Sequence, residues 1–162
     1  MPKARTLILD FTVFLCGALV MIYEIIGSRI LAPYIGTSTY TWTSLIGVIL
    51  AALSLGYWLG GKTADKKPDI KILASTIFLA GGLVSITILF KDAVLSVVAA
   101  TSLPLELKAV LAALILFAPA SVFLGFVTPY AVKLKTKTLD KTGETVGRLY
   151  ALSTVGSIIG TF

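Results

Sequence analysis

No histidine occurs in the 162 residues, and cysteine occurs once, as Cys16. Without imidazoles or a Cys/Asp/Glu cluster, the usual ligand sets for zinc or haem are missing, and no cofactor is expected. A single thiol cannot close an internal disulfide, so it says nothing about redox compartment. Charge is scarce as well: 14% of the residues are Asp, Glu, Lys or Arg, against about 25% in soluble domains. That excludes a surface facing water on every side. Strand-period alternation is absent too, which argues against a membrane β-barrel.

What remains is apolar: 57% of the residues are hydrophobic. Several runs approach or exceed the roughly 20 residues needed to cross a hydrocarbon core of about 30 Å. The expected fold is all-α, a polytopic transmembrane helical bundle. About five membrane segments are predicted, over 7–31, 41–61, 70–90, 105–132 and 145–162. A short apolar stretch, 93–100, is too short to span and reads as interfacial or re-entrant. Pro33 is expected to end the first helix, and Pro119 and Pro129 to kink the fourth. The basic start and apolar run of the N-terminus resemble a signal peptide. The run is too long for one and carries Asp10 and Glu24, so it reads as a retained helix. After Arg148 so few residues remain that the last helix crosses only if it starts near Thr142, unless the chain is a piece of a longer protein.

The formal net charge is +6, but the basic residues lie between the apolar runs, which argues against nucleic acid. One side gathers Lys3, Arg5, Lys62, Lys66, Lys67, Lys71, Lys133, Lys135, Lys137, Lys141 and Arg148. The other holds Arg29, Lys91 and Lys108. By the positive-inside rule the first side is cytoplasmic, giving a multi-pass protein of the cytoplasmic (inner) membrane with its N-terminus inside. Tyr34, Tyr40 and Trp42 then form an aromatic belt at the outer interface.

Glu24 is the sharpest candidate for chemistry. It stands roughly 25 Å into the first helix at 1.5 Å per residue, where a carboxylate needs a partner or water. It could bind a cationic substrate, cycle a proton, or pair with Arg29. Five positions is off the ideal helical spacing for that pair. Arg29 reads as an interfacial anchor or a substrate contact, and Asp10 as a cap or the partner of a nearby lysine. Glu106 and Lys108 mark the start of the fourth helix. Tyr23, Tyr57, Ser54, Ser121 and Thr128 place hydroxyls at membrane depth, facing either a polar cavity or their own backbones. Gly56 with Gly60, and Gly156 with Gly160, are GxxxG pairs suited to close helix packing.

Three blocks carry a resemblance. "YEIIGSRILAPYIGTSTYTWTSLIGVILAALSLGYWLGGKTADK" (Tyr23 to Lys66), "GFVTPYAVKL" (Gly125 to Leu134) and "GRLYALSTVGSIIGTF" (Gly147 to Phe162) are together similar to the membrane domain of spermidine-synthase-like membrane proteins. Those proteins join a transporter-like membrane region to an aminopropyltransferase. The resemblance implies a transporter-like domain, here without the Rossmann-like catalytic part: no glycine-rich turn follows a strand with an acid about twenty positions on. "GGKTADKK" (Gly60 to Lys67) also resembles the cytoplasmic loop of major-facilitator carriers. That likeness implies a tight turn at Gly60 and Gly61, Asp65 capping a helix, Lys66 and its neighbours facing anionic lipid, and a gating role for Gly61, Asp65 and Lys66.

The leading expectation is a transporter-like membrane protein, about half of a major-facilitator-type carrier. It would bind or move a polyamine or other organic cation, with Glu24, Arg29, Tyr23 and Tyr57 at the site. A homodimer would complete it. The alternative is a non-catalytic anchor for an aminopropyltransferase-like partner chain. Catalysis by this chain ranks last, because no nucleophile–base pair is visible.

Overall fold

A computed structural model describes residues 3–136 and 142–162. They form six helices: α1 Lys3–Ile35, α2 Thr39–Lys66, α3 Ile70–Ala100, α4 Leu105–Leu116, α5 Ala118–Lys135 and α6 Thr142–Thr161. Three of them, α1, α2 and α3, are long and apolar enough to cross a membrane. The bent pair α4–α5 makes a fourth if it counts as one span. Among the described residues, three to four spans are shown where five are expected. α6 is 20 residues long, but Glu144, Arg148 and its many serines, threonines and glycines dilute its apolar character. The outward faces are greasy: Phe78 is 85% and Leu89 76% exposed, a surface that lipid covers far more readily than water. The chain is a multi-pass membrane protein, and its helices run up and down between a basic end and an opposite end.

The helices outrun their predicted ends. Pro33 lies inside α1. It has no N–H to give the Arg29 carbonyl, yet Leu31 and Ile35 on either side are buried, and packing holds the last turn. The helix stops at Gly36, whose φ of 95° fits the left-handed cap, and whose N–H bonds the Ala32 carbonyl at 2.9 Å. Ser38 then starts α2, its Oγ accepting from the Thr41 N–H at 3.3 Å. The 93–100 stretch is not a separate half-inserted segment but the end of α3. No helix breaker stands between Phe90 and Ala93, and at 31 residues α3 is roughly 46 Å long, more than a bilayer core needs. Tyr34 ties the end of α1 to it, donating to Asp92 at 3.0 Å, and Lys91 pairs with the same carboxylate at 2.7 Å. Lys108 reaches back to the Ala99 carbonyl at 2.8 Å, satisfying one of the orphan carbonyls at the α3 C-terminus.

The tight turn foreseen at Gly60 and Gly61 is also corrected. Both glycines, with Asp65 and Lys66, belong to α2. The turn falls at 67–69, where Pro68 allows no further helix. Asp69, not Asp65, caps α3, accepting from the Lys71 N–H at 3.0 Å. Tyr130 of α5 pins this turn from below. It is fully buried, its hydroxyl accepts from the Asp69 N–H at 3.0 Å, and it faces the carbonyls of Lys67 and Asp69. Tyr130→Phe is expected to lower stability by about 1–2 kcal/mol and to make the 67–69 turn the first site of limited proteolysis. An unchanged cleavage pattern would mean the turn holds itself.

The kink expected near Pro119 is present as a break of 57° between α4 and α5, with Pro119 in the first turn of α5. Pro129 sits inside α5 without interrupting it. The break exposes the Leu116 carbonyl, which accepts from the Thr87 hydroxyl at 2.7 Å and the Tyr23 hydroxyl at 3.0 Å. Phe117, fully buried, lies against the Tyr23 ring at 5.1 Å in room left by Gly27, where a Cβ would come within 2.9 Å of it. Glycines also set the two closest helix pairs. Gly56, Gly60 and Gly125 bring α2 onto α5, and Gly17, Gly156 and Gly160 bring α1 onto α6, each backbone against backbone.

Candidate functional site

Between α1, α2, α5 and α6 lies a cavity of about 50 Å³. Its walls come from Cys16, Gly17 and Val20 of α1, Leu53 and Tyr57 of α2, Leu124 and Thr128 of α5, and Ser153 and Ser157 of α6. Two helix registers place these groups together. Close contact of α6 with Gly17 swings Ser153 and Ser157 inward, and Gly56 and Gly125 bring Tyr57 and Thr128 alongside. Ser157 is committed to backbone, bonding the Gly17 carbonyl at 3.0 Å. The hydroxyls of Tyr57, Thr128 and Ser153 make no hydrogen bond among the described residues, and none of them is sealed from the surface. The volume suits a few water-sized polar groups. The backbones of α2 and α6 do not approach closely, and the cavity lies between them.

Glu24 stands one turn beyond Val20 on the same face of α1, outside the walls of this cavity. It is half-buried and has no hydrogen-bond or ion-pair partner among the described residues. The pair with Arg29 considered from sequence does not form. Five positions turn a helix by about 140°, so Arg29 projects from another face and is exposed. Tyr23 is turned away as well, its hydroxyl committed to the α4–α5 break. Of the four predicted site residues, Tyr57 lines the cavity, Glu24 lies one helical turn beyond its Val20 wall, and Tyr23 and Arg29 are elsewhere. Ser54 and Ser121 bond their own helices, to the carbonyls of Leu50 at 2.8 Å and Phe117 at 2.8 Å. A larger hollow of about 290 Å³ between α1 and α3 is mainly apolar, walled by Leu19, Ile22, Ile26, Val84 and Ile88; the hydroxyls of Tyr23 and Thr87 in its wall are bonded to the Leu116 carbonyl.

Below the cavity the basic end is bolted by ion pairs. Asp10 is buried and joins Lys135 of α5 and Arg148 of α6, the latter at 2.8 Å. The expectation that it pairs with a lysine holds, with an arginine added. Asp65 at the end of α2 meets Lys133 of α5 at 2.7 Å. Lys62 lies over the Trp58 ring, 4.9 Å from its centroid, and Lys66 is exposed. Lys133 and Lys135 belong to α5, and Lys137 and Lys141 lie outside the described residues. Along α1, Asp10 and Glu24 are roughly 21 Å apart. The molecule is thus tied by charge at one end and carries an unpaired carboxylate toward the other, with the hydroxyl-lined cavity between.

Sequence reasoning missed Ser153 and Ser157. Their signal was legible: Ser153, Gly156, Ser157 and Gly160 recur at helical spacing on one face of α6. No known protein family, curated protein or solved structure matches this chain.

Proposed function

We propose that the chain is a transporter-like membrane domain, about half of a carrier, that binds and moves a polyamine or other organic cation. The observation that carries this reading is Glu24: a half-buried carboxylate in a membrane-crossing helix, without a protein partner among the described residues, one helical turn beyond a cavity lined by the hydroxyls of Tyr57, Thr128 and Ser153. An ammonium group satisfies both, taking Glu24 as counter-ion and the hydroxyls as acceptors. The likeness of three sequence blocks to spermidine-synthase-like membrane proteins directs the choice of cation to a polyamine. The break in the α4–α5 span supports a carrier, because discontinuous helices recur beside carrier sites. So do the ion pairs of the basic end, a natural closed gate in which Asp65 takes part beside Gly61 and Lys66. On this reading the basic end is cytoplasmic, in the inner membrane, and a second copy closes the α2–α6 cleft.

The anchor reading has one observation in its favour: Lys62, Lys66, Lys67 and Lys71 form an exposed basic face on which an aminopropyltransferase-like partner could dock. Binding separates the two. Purified protein in detergent is expected to melt several degrees higher in excess spermidine, since a ligand at 100 times its Kd stabilises by about 2.7 kcal/mol. Glu24→Gln is expected to lose that shift while melting no lower than wild type without ligand, because it removes an unpaired charge from an apolar setting. A spermidine shift that persists in Glu24→Gln would remove Glu24 from the site. No shift in either protein would favour the anchor.

A further inference from the structure

Cys16 of α1 and Leu124 of α5 wall both the hydroxyl-lined cavity and the larger hollow between α1 and α3. The two spaces therefore share a partition made of these side chains. Both are buried, and Cys16 is a free thiol that makes no hydrogen bond among the described residues. On the far side of the partition, the floor of the hollow is Ala80, Tyr23 and Thr87, all buried, and its rim is Leu19, Ile22 and Ile88, all exposed. It opens sideways, between two helices long and apolar enough to cross a membrane, so hydrocarbon lies at its mouth. The hydroxyls of Tyr23 and Thr87 are given to the Leu116 carbonyl, which leaves the hollow an apolar lining. One partition thus has hydroxyls on one side and hydrocarbon on the other.

We propose that cavity and hollow form one amphipathic site, and that the organic cation fitting it best carries a hydrocarbon tail. The ammonium lies among the hydroxyls of Tyr57, Thr128 and Ser153 with Glu24 as counter-ion, and the tail runs past Cys16 and Leu124 into the hollow. This rests on the cation reading of Glu24 and narrows the class of cation. A polyamine, charged along its whole length, leaves the hollow unfilled, because an ammonium there would meet hydrocarbon alone. An acyl chain of a bilayer lipid fills the hollow but brings no cation to the hydroxyls. An ammonium on an alkyl chain supplies both in one molecule. The mouth between α1 and α3 admits it from the bilayer, where its tail concentrates it.

The probe is decylammonium with a diazirine at the end of its tail, added to the protein in phosphatidylcholine nanodiscs, irradiated and mapped by mass spectrometry. Adducts are expected on Leu19 and Ile22 of α1 and on Val84 and Ile88 of α3, which wall the hollow. Unlabelled decylammonium is expected to displace them at a mole fraction in the bilayer about tenfold lower than decanol, the advantage one charge-assisted hydrogen bond confers. Phe78 and Leu89 face outward and give the reference: adducts there report probe dissolved in lipid and should not be displaced. Gly81→Leu is expected to lose the hollow adducts, since Gly81 lines the hollow and a Cβ there meets open space. Decanol as effective as decylammonium, or adducts confined to Phe78 and Leu89, would overturn the amphipathic site. Spermidine has no tail and so reports the cation reading by itself. A spermidine melting shift beside equal displacement by the two competitors would sink the tail hollow alone. No spermidine shift, with no preference for decylammonium, would sink both.

Discussion

Asp10→Ala is expected to destabilise the protein by about 3 kcal/mol or more, a loss visible as a sharp drop in the melting temperature in detergent. The Asp10 side chain is 9% exposed and that of Lys135 is 12% exposed, so removing the carboxylate leaves an ammonium buried without its counter-ion. The same carboxylate links α1 to α5 and α6, and its loss unties three helices at once. Arg148 is different: its side chain is 58% exposed, water and headgroups can take over its solvation, and Arg148→Gln is expected to cost less than about 1 kcal/mol. The double replacement Asp10→Leu with Lys135→Met removes both buried charges and is expected to recover much of the loss. If Asp10→Ala melts like wild type, the three helices are held by packing alone.

Gly156→Val is expected to be at least as damaging. A Cβ at Gly156 would stand 2.0 Å from the Phe14 carbonyl oxygen, and backbone cannot yield as a side chain can. The α1–α6 contact must open along its length, carrying Ser153 and Ser157 away from the cavity. A loss of about 3 kcal/mol follows from overpacking on this scale, together with loss of ligand-induced stabilisation in whatever protein still folds. Gly81→Ala is the control, since nothing lies within 4 Å of a Cβ there. That variant is expected to be neutral or slightly stabilising, alanine being the better helix former. Equal melting of the Gly156 and Gly81 variants would contradict the close approach of α1 and α6.

The gap between these residues and their sequence signals is instructive. The apolar runs announced the long helices directly, because a bilayer core imposes a length that periodicity cannot hide. The ends were harder to read. Pro33, Gly60 and Gly61 are breakers by intrinsic preference, yet neighbours such as Leu31, Ile35 and Ala64 are buried, and packing overrides propensity there. Asp10 was visible as an acid near a helix start, but its partners lie 125 and 138 positions away, a distance no local pattern spans. Glu24 and Tyr57 were legible as polar groups out of place in apolar runs. Their separation from Tyr23 and Arg29 was not, because it depends on which face of α1 meets α6, and small residues of α6 decide that. The α4–α5 break was readable at Pro119. Its use as a carbonyl held by Tyr23 and Thr87 needed the third dimension.

A cation path past Glu24 is tested most directly by charge movement. Wild-type protein and Glu24→Gln are reconstituted in proteoliposomes, adsorbed on a solid-supported membrane and exposed to jumps of spermidine or putrescine. The expected result is a transient current in wild type that saturates with polyamine concentration and is absent in Glu24→Gln. A current of equal size in the variant, or silence from wild type across several organic cations and pH values, would contradict a cation carrier built around Glu24.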